Sequence, residues 1–306
     1  MSDPRFRDDA SLTLPPALHA HACRCALHGR RLFTGALVAA AAAPVLAREG
    51  VEVGQNSKWS KFVPAEDIEK TSQQQYLQLK QEAASKRALG PDEHVQVQRL
   101  RYIAQRIIPY TYEWNERARE WKWEVNLLGS SQVNAFCMPG GKIAFFTGIL
   151  TKLQLSDDEV AMIMGHEMAH ALREHARERV GKSVATQAGA GILSSLLGLG
   201  NVGNMALNAG AQLATLKWGR GDESEADLVG LDLAARAGYD PRAGVTLWQK
   251  MAKASGGAPP QWLSTHPAGA TRIADIQAQL PKVMPLYQRA GKPERVFGVA
   301  SLKANN

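Results

Sequence analysis

Cysteine is almost absent from this chain of 306 residues. Cys23 and Cys25 stand in a leader segment, and only Cys137 lies beyond residue 47. One cysteine cannot form a disulfide within its own chain, so a fold stapled by disulfides is excluded. The grouping of His19 and His21 with the two leader cysteines has no second half at metal-ligand spacing, and we interpret it as part of the leader.

Strong charge of one sign and long apolar runs are lacking as well. The formal net charge is +7, and the basic residues are scattered among acidic ones, which does not indicate a nucleic-acid partner. The apolar run at residues 32–43 is short beside the about 20 residues that a membrane-spanning helix needs. With 45% hydrophobic residues the chain can still bury the core of one large domain or two small ones.

The start of the chain has the features of an export signal. Arg30 and Arg31 precede the apolar run, and small residues lead up to Ala47, where a signal peptidase needs them. This stretch resembles a bacterial twin-arginine signal. We therefore expect an export signal over 1–47 and a domain over 48–306 that works in the periplasm or elsewhere in the cell envelope. A membrane anchor is the alternative interpretation.

A scaffold of helices and strands is predicted next. Apolar residues recur at helical spacing over residues 65–87 and again over 92–108. Alternating or β-branched patterns predict strands at 121–128 and 142–147, with a turn at 139–141 that delivers the second strand. The strands form either an ordinary hairpin or a surface that offers free backbone groups to an extended peptide.

The stretch MGHEMAH lies inside a predicted helix that begins with a capping box formed by Ser156 and Glu159. In a helix of 3.6 residues per turn, His166 and His170 are only about 40° apart around the axis. Both side chains therefore face one side and can bind one metal ion.

Glu167 lies beside both histidines on the same helix. It can reach a water molecule at the metal without binding the metal itself. Hydrolytic zinc sites use three protein ligands and a water whose pKa falls to about 7. Glu167 is the predicted general base. The helical run continues to Val180 without proline, which predicts His175 about 140° from His170 and away from the metal.

A second acidic helix is predicted at residues 219–238. Glu223 and Asp227 are four residues apart and share a face. Glu223 can be the third metal ligand, and Asp227 can accept a hydrogen bond from the second ring nitrogen of a ligand histidine. Glu225 lies roughly on the opposite side, and we interpret it as a solvent-facing or structural charge.

Residues 183–216 carry no charge and are dominated by Gly and Ala. A membrane span, a hairpin that touches lipid and two close-packed helices over the site are the three interpretations. Asparagines and glycines break the segment into pieces too short for a clean span, which favours the two helices. Peripheral membrane contact through residues 183–216 is a further expectation. Residues 255–260 are the most linker-like stretch, but too few residues follow for a separate domain.

The motifs NAFCMPGGKIAFFTGIL, MGHEMAH, ESEAD and THPAGATR occur in this order within about residues 60–281. Together they resemble the HtpX, Oma and CAAX prenyl protease family of zinc metallopeptidases, especially its exported bacterial members of the LoiP and BepA kind. The resemblance implies a mainly α-helical α+β fold of the gluzincin type, with a small β-sheet beside the active-site helix.

The resemblance also implies roles for individual residues. His166, His170 and Glu223 would bind one zinc ion per chain, Glu167 would be the catalytic base, and Asp227 would hold a ligand histidine. The strand after Gly141 would be the shelf for an extended substrate. The candidate substrate-binding residues are Asn134, Ala135, Phe136, Gly141 and Ile143.

His266 and Arg272 fall in the last motif, near the expected cleft. Either can stabilise the oxyanion of a tetrahedral intermediate and is a candidate catalytic residue. A second hypothesis for His266 is that it occupies the open position of the metal in a resting state.

We therefore expect an exported zinc-dependent endopeptidase that hydrolyses extended or misfolded polypeptides in envelope protein quality control. Its partners would be polypeptide substrates and not nucleic acid. One rival is a chaperone-like protein that keeps the fold and holds clients with the uncharged segment. The other is a structural helical protein in which the motif is accidental and no metal binds.

Overall fold

The structure is a computed structural model that describes residues 48–187, 216–254, 261–266 and 271–298. Several predictions fall outside these residues, namely the export signal at 1–47, most of the uncharged segment 183–216 and the linker-like stretch 255–260. Residues 267–270 of the last motif also lie outside them.

The described residues form a mainly helical fold with one small sheet, which confirms the predicted class. The α-helices are α1 (Ala65–Ser85), α2 (Val95–Ile107), α3 (Thr147–Leu153), α4 (Asp157–Leu172), α5 (His175–Gln187), α6 (Arg220–Arg236), α7 (Ala243–Ala254), α8 (Gln261–Thr265) and α9 (Arg272–Arg289). Short 3-10 helices cover Lys58–Phe62, Ile108–Tyr110 and Glu116–Arg119. No helix in this described part combines the length and apolar character that crossing a membrane requires.

The sheet has one strand more than the sequence predicted. Its strands are β1 (Glu124–Leu128), β2 (Ala135–Met138) and β3 (Lys142–Phe146). They stand in the order β1-β3-β2, with β1 parallel and β2 antiparallel to β3. The interpretation of the two predicted strands as a hairpin is therefore wrong, because β2 lies between them in sequence and reverses the chain.

A tight turn joins β2 to β3. Gly140 and Gly141 both have positive φ, 81° and 76°. Glycine adopts such angles without steric cost, and two successive positive angles suit the twist of a short hairpin. The predicted turn is therefore present, but it serves a strand of four residues that is too short for its pattern to stand out.

Helix α4 carries the MGHEMAH motif and is buried along nearly its whole length. Every residue from 159 to 172 is buried, and the helix packs against β2, α2, α6 and α7. Its start is the predicted capping box. The Glu159 N–H donates to Ser156 Oγ at 3.2 Å, and the Ser156 N–H donates to Glu159 Oε2 at 2.8 Å. The motif therefore sits on a helix that is fixed at its N-terminus and enclosed by its neighbours.

The helical run predicted to Val180 is interrupted. Helix α4 ends at Leu172, α5 begins at His175, and Glu174 between them has a φ of 59°. This left-handed conformation cannot continue a right-handed helix. The direction of His175 therefore does not follow from the helical spacing of α4.

Helices α4 and α6 cross at two glycines. A Cβ added to Gly165 would lie 2.6 Å from the carbonyl oxygen of Gly230. A Cβ added to Gly230 would lie 2.5 Å from the backbone nitrogen of His166. Such distances leave no room for a side chain in a close-packed interior. The two backbones touch here, which brings the start of α6 beside the histidines of α4.

We expect Gly230→Ala to lower the free energy of unfolding by about 1–3 kcal/mol, because the added methyl group overpacks the crossing. It should also weaken metal binding, since α6 carries Glu223. Urea unfolding of the metal-free protein and a metal titration measure the two effects. The control is Gly244→Ala on α7, where a Cβ would meet only side-chain atoms at 3.4 Å or beyond. Equal behaviour of the two variants would contradict the prediction.

Candidate metal centre

His166 and His170 point to a common position from successive turns of α4. Their Nε2 atoms are 3.1 Å apart, and the residues are 4% and 2% exposed. Burial holds the pKa of His170 well below the usual value for histidine. A neutral imidazole is the form that binds metal.

Glu223 approaches the two histidines from the first turn of α6. Its carboxylate oxygens lie 3.6 Å from His166 Nε2 and 3.4 Å from His170 Nε2. Burial acts to raise the pKa of Glu223, but hydrogen bonds with His170 and His266 outweigh it and hold that pKa far below the usual value. The carboxylate is therefore charged and aimed at the same position as the imidazoles.

His266, which follows α8, completes the cluster. Its Nδ1 lies 2.9 Å from Glu223 Oε1 and 3.2 Å from His166 Nε2. The ligand atoms of His166, His170, Glu223 and His266 all lie within 4.8 Å of one another. Among the described residues this is the one group of His, Cys, Asp and Glu side chains so arranged.

The cluster fits a metal ion. Donors at about 2.0–2.2 Å from a tetrahedral ion are roughly 3.3–3.6 Å from each other. Five of the six donor pairs, all except His170 with His266, are 2.9 to 3.6 Å apart, which is close to that range. The carboxylates of Glu223 and Asp227 share one guanidinium, that of Arg272, and the carboxylate of Glu167 lies beside His266, so a divalent cation would balance the remaining negative charge.

Asp227 and Arg272 lie behind His166. The Nδ1 of His166 is 3.0 Å from Asp227 Oδ1. The guanidinium of Arg272 donates to both oxygens of Asp227 at 2.6 Å, donates to Glu223 Oε2, and lies over the ring of Trp248. Burial acts to raise the pKa of Asp227, but the charge of Arg272 and the hydrogen bond with His166 keep it low. Arg272 thus faces one carboxylate of the cluster, that of Glu223, and one beside it, that of Asp227.

Glu167 lies next to the cluster without belonging to it. It is 2% exposed, and its Oε1 lies 3.4 Å from His266 Nε2. Burial lowers the pKa of His266, but the charges of Glu167 and Glu223 outweigh this effect and raise it. The carboxylate of Glu167 is therefore within reach of a small molecule held at the cluster.

Trp262 covers Glu167, and sequence reasoning missed it. Its Nε1–H donates to Glu167 Oε1 at 2.7 Å, and its ring stacks on His266 with centroids 4.7 Å apart. Its backbone N–H donates to Val133 O at 2.9 Å, just before β2. The one signal in the sequence was the spacing of Trp262 and His266, four residues apart and thus on one helix face.

His175 was predicted to point away from the metal and Glu225 to be a solvent-facing or structural charge. His175 lies outside the ligand cluster but contacts His170, and Glu225 pairs with Arg173 and His175. His175 Nδ1 lies 2.8 Å from His170 Nδ1, and His175 Nε2 lies 3.2 Å from Glu225 Oε2. The break between α4 and α5 turns His175 back toward His170. Trp218, which precedes α6 and was given no role by the sequence, stacks on the ring of His170 with centroids 4.5 Å apart.

The candidate substrate residues are divided between two strands. Ala135 and Phe136 are the first two residues of β2 and Asn134 precedes them, whereas Gly141 is in the turn and Ile143 is in β3. The strand after Gly141, which was predicted to be the substrate shelf, has no free edge, because β3 is the middle strand and pairs on both sides. Among the described residues β2 pairs with β3 alone, and it packs against α4. The side chains of Phe136 and Ile143 are core residues.

Two candidate ligand histidines and a glutamate on one helix, with a third candidate ligand from a second helix, are the arrangement typical of a metallopeptidase of the HExxH type with a glutamate ligand. The sequence signature of peptidase family M48 matches residues 96–280, and the chain belongs to this family. The predicted relationship is thereby confirmed.

Several relatives to which this chain is similar are named metalloendopeptidases or proteases. The chain is 41% identical over 150 residues to the mitochondrial metalloendopeptidase OMA1 of Arabidopsis thaliana, which covers 49% of this chain and 30% of the relative. It is 35% identical over 164 residues to OMA1 of Schizosaccharomyces pombe, covering 53% and 48%. It is 28% identical over 169 residues to the beta-barrel assembly-enhancing protease of Yersinia pestis, covering 52% and 35%. The chain thus spans at most about half the length of these relatives.

We expect Glu223→Gln to lose bound metal, because the amide removes the charge that holds the ion. Metal per chain, measured by plasma mass spectrometry after desalting, should fall from one to well below one. Asp222→Asn is the matched control, since Asp222 is the preceding residue and its side chain accepts a hydrogen bond from Gly219 N outside the cluster. Full metal retention by Glu223→Gln would argue against the assignment.

Proposed function

We propose that this chain is a zinc-dependent endopeptidase that cleaves extended or misfolded polypeptides. The observation that carries the proposal is the position of Glu167, a buried carboxylate outside the ligand cluster but within 3.4 Å of one of its members. A base so placed suits the activation of water at a metal. Family membership and the metalloendopeptidase relatives support the same activity.

Zinc bound by His166, His170 and Glu223 would polarise the scissile carbonyl and lower the pKa of a water molecule. Glu167 would take the proton from that water through its Oε1 or Oε2 and pass it to the leaving amine. Asp227 would keep the proton of His166 on Nδ1, so that Nε2 faces the metal. Arg272 would hold Asp227 and Glu223 in place, which replaces the oxyanion role predicted for it, because its guanidinium is already directed at these carboxylates.

The unpaired edge of β2 is the proposed site for the substrate backbone. An extended peptide added to this edge would run beside α4 and its metal ligands. Asn134 and Ala135 would contact it through their backbones, as would Phe136, whose side chain is committed to the core. Backbone recognition of this kind requires an unfolded segment, which fits misfolded or extended clients.

The described conformation supports a closed resting state. His266 contributes a fourth donor to the cluster, Trp262 binds Glu167, and both are at most 2% exposed. We therefore favour the hypothesis that His266 occupies the open position of the metal until substrate displaces α8. Stabilisation of the oxyanion by His266 would require its release from this position first.

Envelope protein quality control is the proposed setting. The beta-barrel assembly-enhancing protease of Yersinia pestis supports it by its name, and the twin-arginine-like leader supports export to the periplasm or cell envelope. Peripheral membrane contact through residues 183–216 belongs to the same proposal.

The decisive experiment is cleavage of an unfolded reporter protein by purified residues 48–306. We expect the wild type to cut, and Glu167→Gln to lose at least a hundredfold of the rate while it keeps its zinc, because only the base is removed. A chelated sample should be inactive and should recover on addition of zinc. Glu93→Gln, at an exposed position, is the control. If zinc is bound but no sample cuts, the protein is latent or holds clients without cleaving them.

His266→Ala tests the resting state. Removal of a ligand that competes with substrate should raise the basal cleavage rate, and the absorption spectrum of the cobalt-substituted protein should change because the ion loses one nitrogen donor. Unchanged basal activity together with an unchanged spectrum would refute the hypothesis.

A further inference from the structure

His175 forms a buried connection between His170 and a charge pair outside the cluster. Its Nδ1 lies 2.8 Å from His170 Nδ1, and its Nε2 lies 3.2 Å from Glu225 Oε2. Arg173 donates through Nε to the other oxygen of Glu225. His175 is 2% exposed, so its ring has no ready alternative partner in water.

One arrangement of protons satisfies every contact in this series. His170 directs Nε2 toward the other ligand atoms, so its proton belongs on Nδ1. That N–H donates to the lone pair on His175 Nδ1, which places the proton of His175 on Nε2. This second N–H donates to the carboxylate of Glu225, and the guanidinium of Arg173 compensates the charge of Glu225. Both histidines are neutral, as metal binding requires.

The arrangement mirrors the one behind His166. There the Nδ1 of the ligand faces Asp227, whose charge is compensated by Arg272. Behind His170 the carboxylate is Glu225, the arginine is Arg173, and a second imidazole spans the additional distance. Each of the two histidines is thus connected to a carboxylate and an arginine. His166 contacts its carboxylate directly, whereas His170 reaches its carboxylate through His175.

We propose that His175, held by Glu225, is the positioning residue that fixes the ring orientation and tautomer of His170 for metal binding. The proposal rests on the metal site of the proposed function but not on peptide cleavage. Partners that donate to or accept from the outer nitrogen of a ligand histidine contribute about 10–100-fold to metal affinity.

The experiment measures zinc affinity of the full chain by competition with a chromophoric chelator. His175→Leu removes the acceptor for His170 Nδ1–H, and we expect a 10–100-fold weaker affinity for zinc. His175→Asn keeps an oxygen acceptor near the position of Nδ1, and its affinity should stay within a few-fold of wild type. His94→Leu, at the start of α2 and outside the cluster, should bind zinc like the wild type.

A double variant tests the order of the connection. Glu225→Gln should weaken zinc binding less than His175→Leu does. His175→Leu with Glu225→Gln should bind zinc no more weakly than His175→Leu alone, because Glu225 acts on the metal only through His175. Additive losses would overturn this order.

Urea unfolding of the metal-free variants separates positioning from packing. A packing role would lower stability in the leucine and asparagine variants alike and would leave their zinc affinities equal. That result, or a wild-type affinity in His175→Leu, would overturn the proposal. Failure of the wild type itself to bind zinc would instead refute the metal site on which the proposed function depends.

Discussion

Helices α4 and α6 touch backbone to backbone at Gly165 and Gly230, and the positions of the candidate metal-ligand side chains depend on that contact. His166 directly follows one of these glycines, and Glu223 lies about two turns before the other. A wider separation of the helices would move the carboxylate of Glu223 away from the histidines by the same distance. Since a tetrahedral site tolerates only a few tenths of an ångström, small residues at the crossing are a condition for the site.

The centre is also a concentration of buried polar groups, each of which costs free energy unless it has a partner. The structure meets this requirement by joining every one of them to another. Asp227 and Glu223 contact Arg272, Glu225 contacts Arg173 and His175, and Glu167 accepts a hydrogen bond from Trp262. The same contacts that offset desolvation also fix side-chain orientation, so stability and preorganisation of the site have a common origin.

Closure of the site by α8 follows the same logic. Trp262 and His266 are stacked, and they contact the base and the ligand cluster respectively. Trp262 also binds the backbone just before β2, the strand whose unpaired edge would receive a peptide. The short helix α8 and the residue after it therefore contact the candidate base, the candidate ligand cluster and the backbone before β2.

Local sequence determined much of this protein. The capping box at Ser156 and the spacing of His166 and His170 depend on helical geometry alone, and helical geometry is the same in every fold. The pairing of Glu223 with Asp227 on one face of α6 follows for the same reason.

Tertiary structure decided the rest. Whether His266 joins the ligands depends on where α8 packs, a contact across 100 residues. His175 turns toward His170 because Glu174 has a left-handed backbone conformation. The spacing of a continuous helix had predicted that His175 points away from His170. The order of the strands depends on β2, a segment of four residues whose pairing and burial are properties of the assembled sheet. The periodicity of a sequence predicts which residues share one face of a helix or strand. Only tertiary packing decides which residues that face contacts.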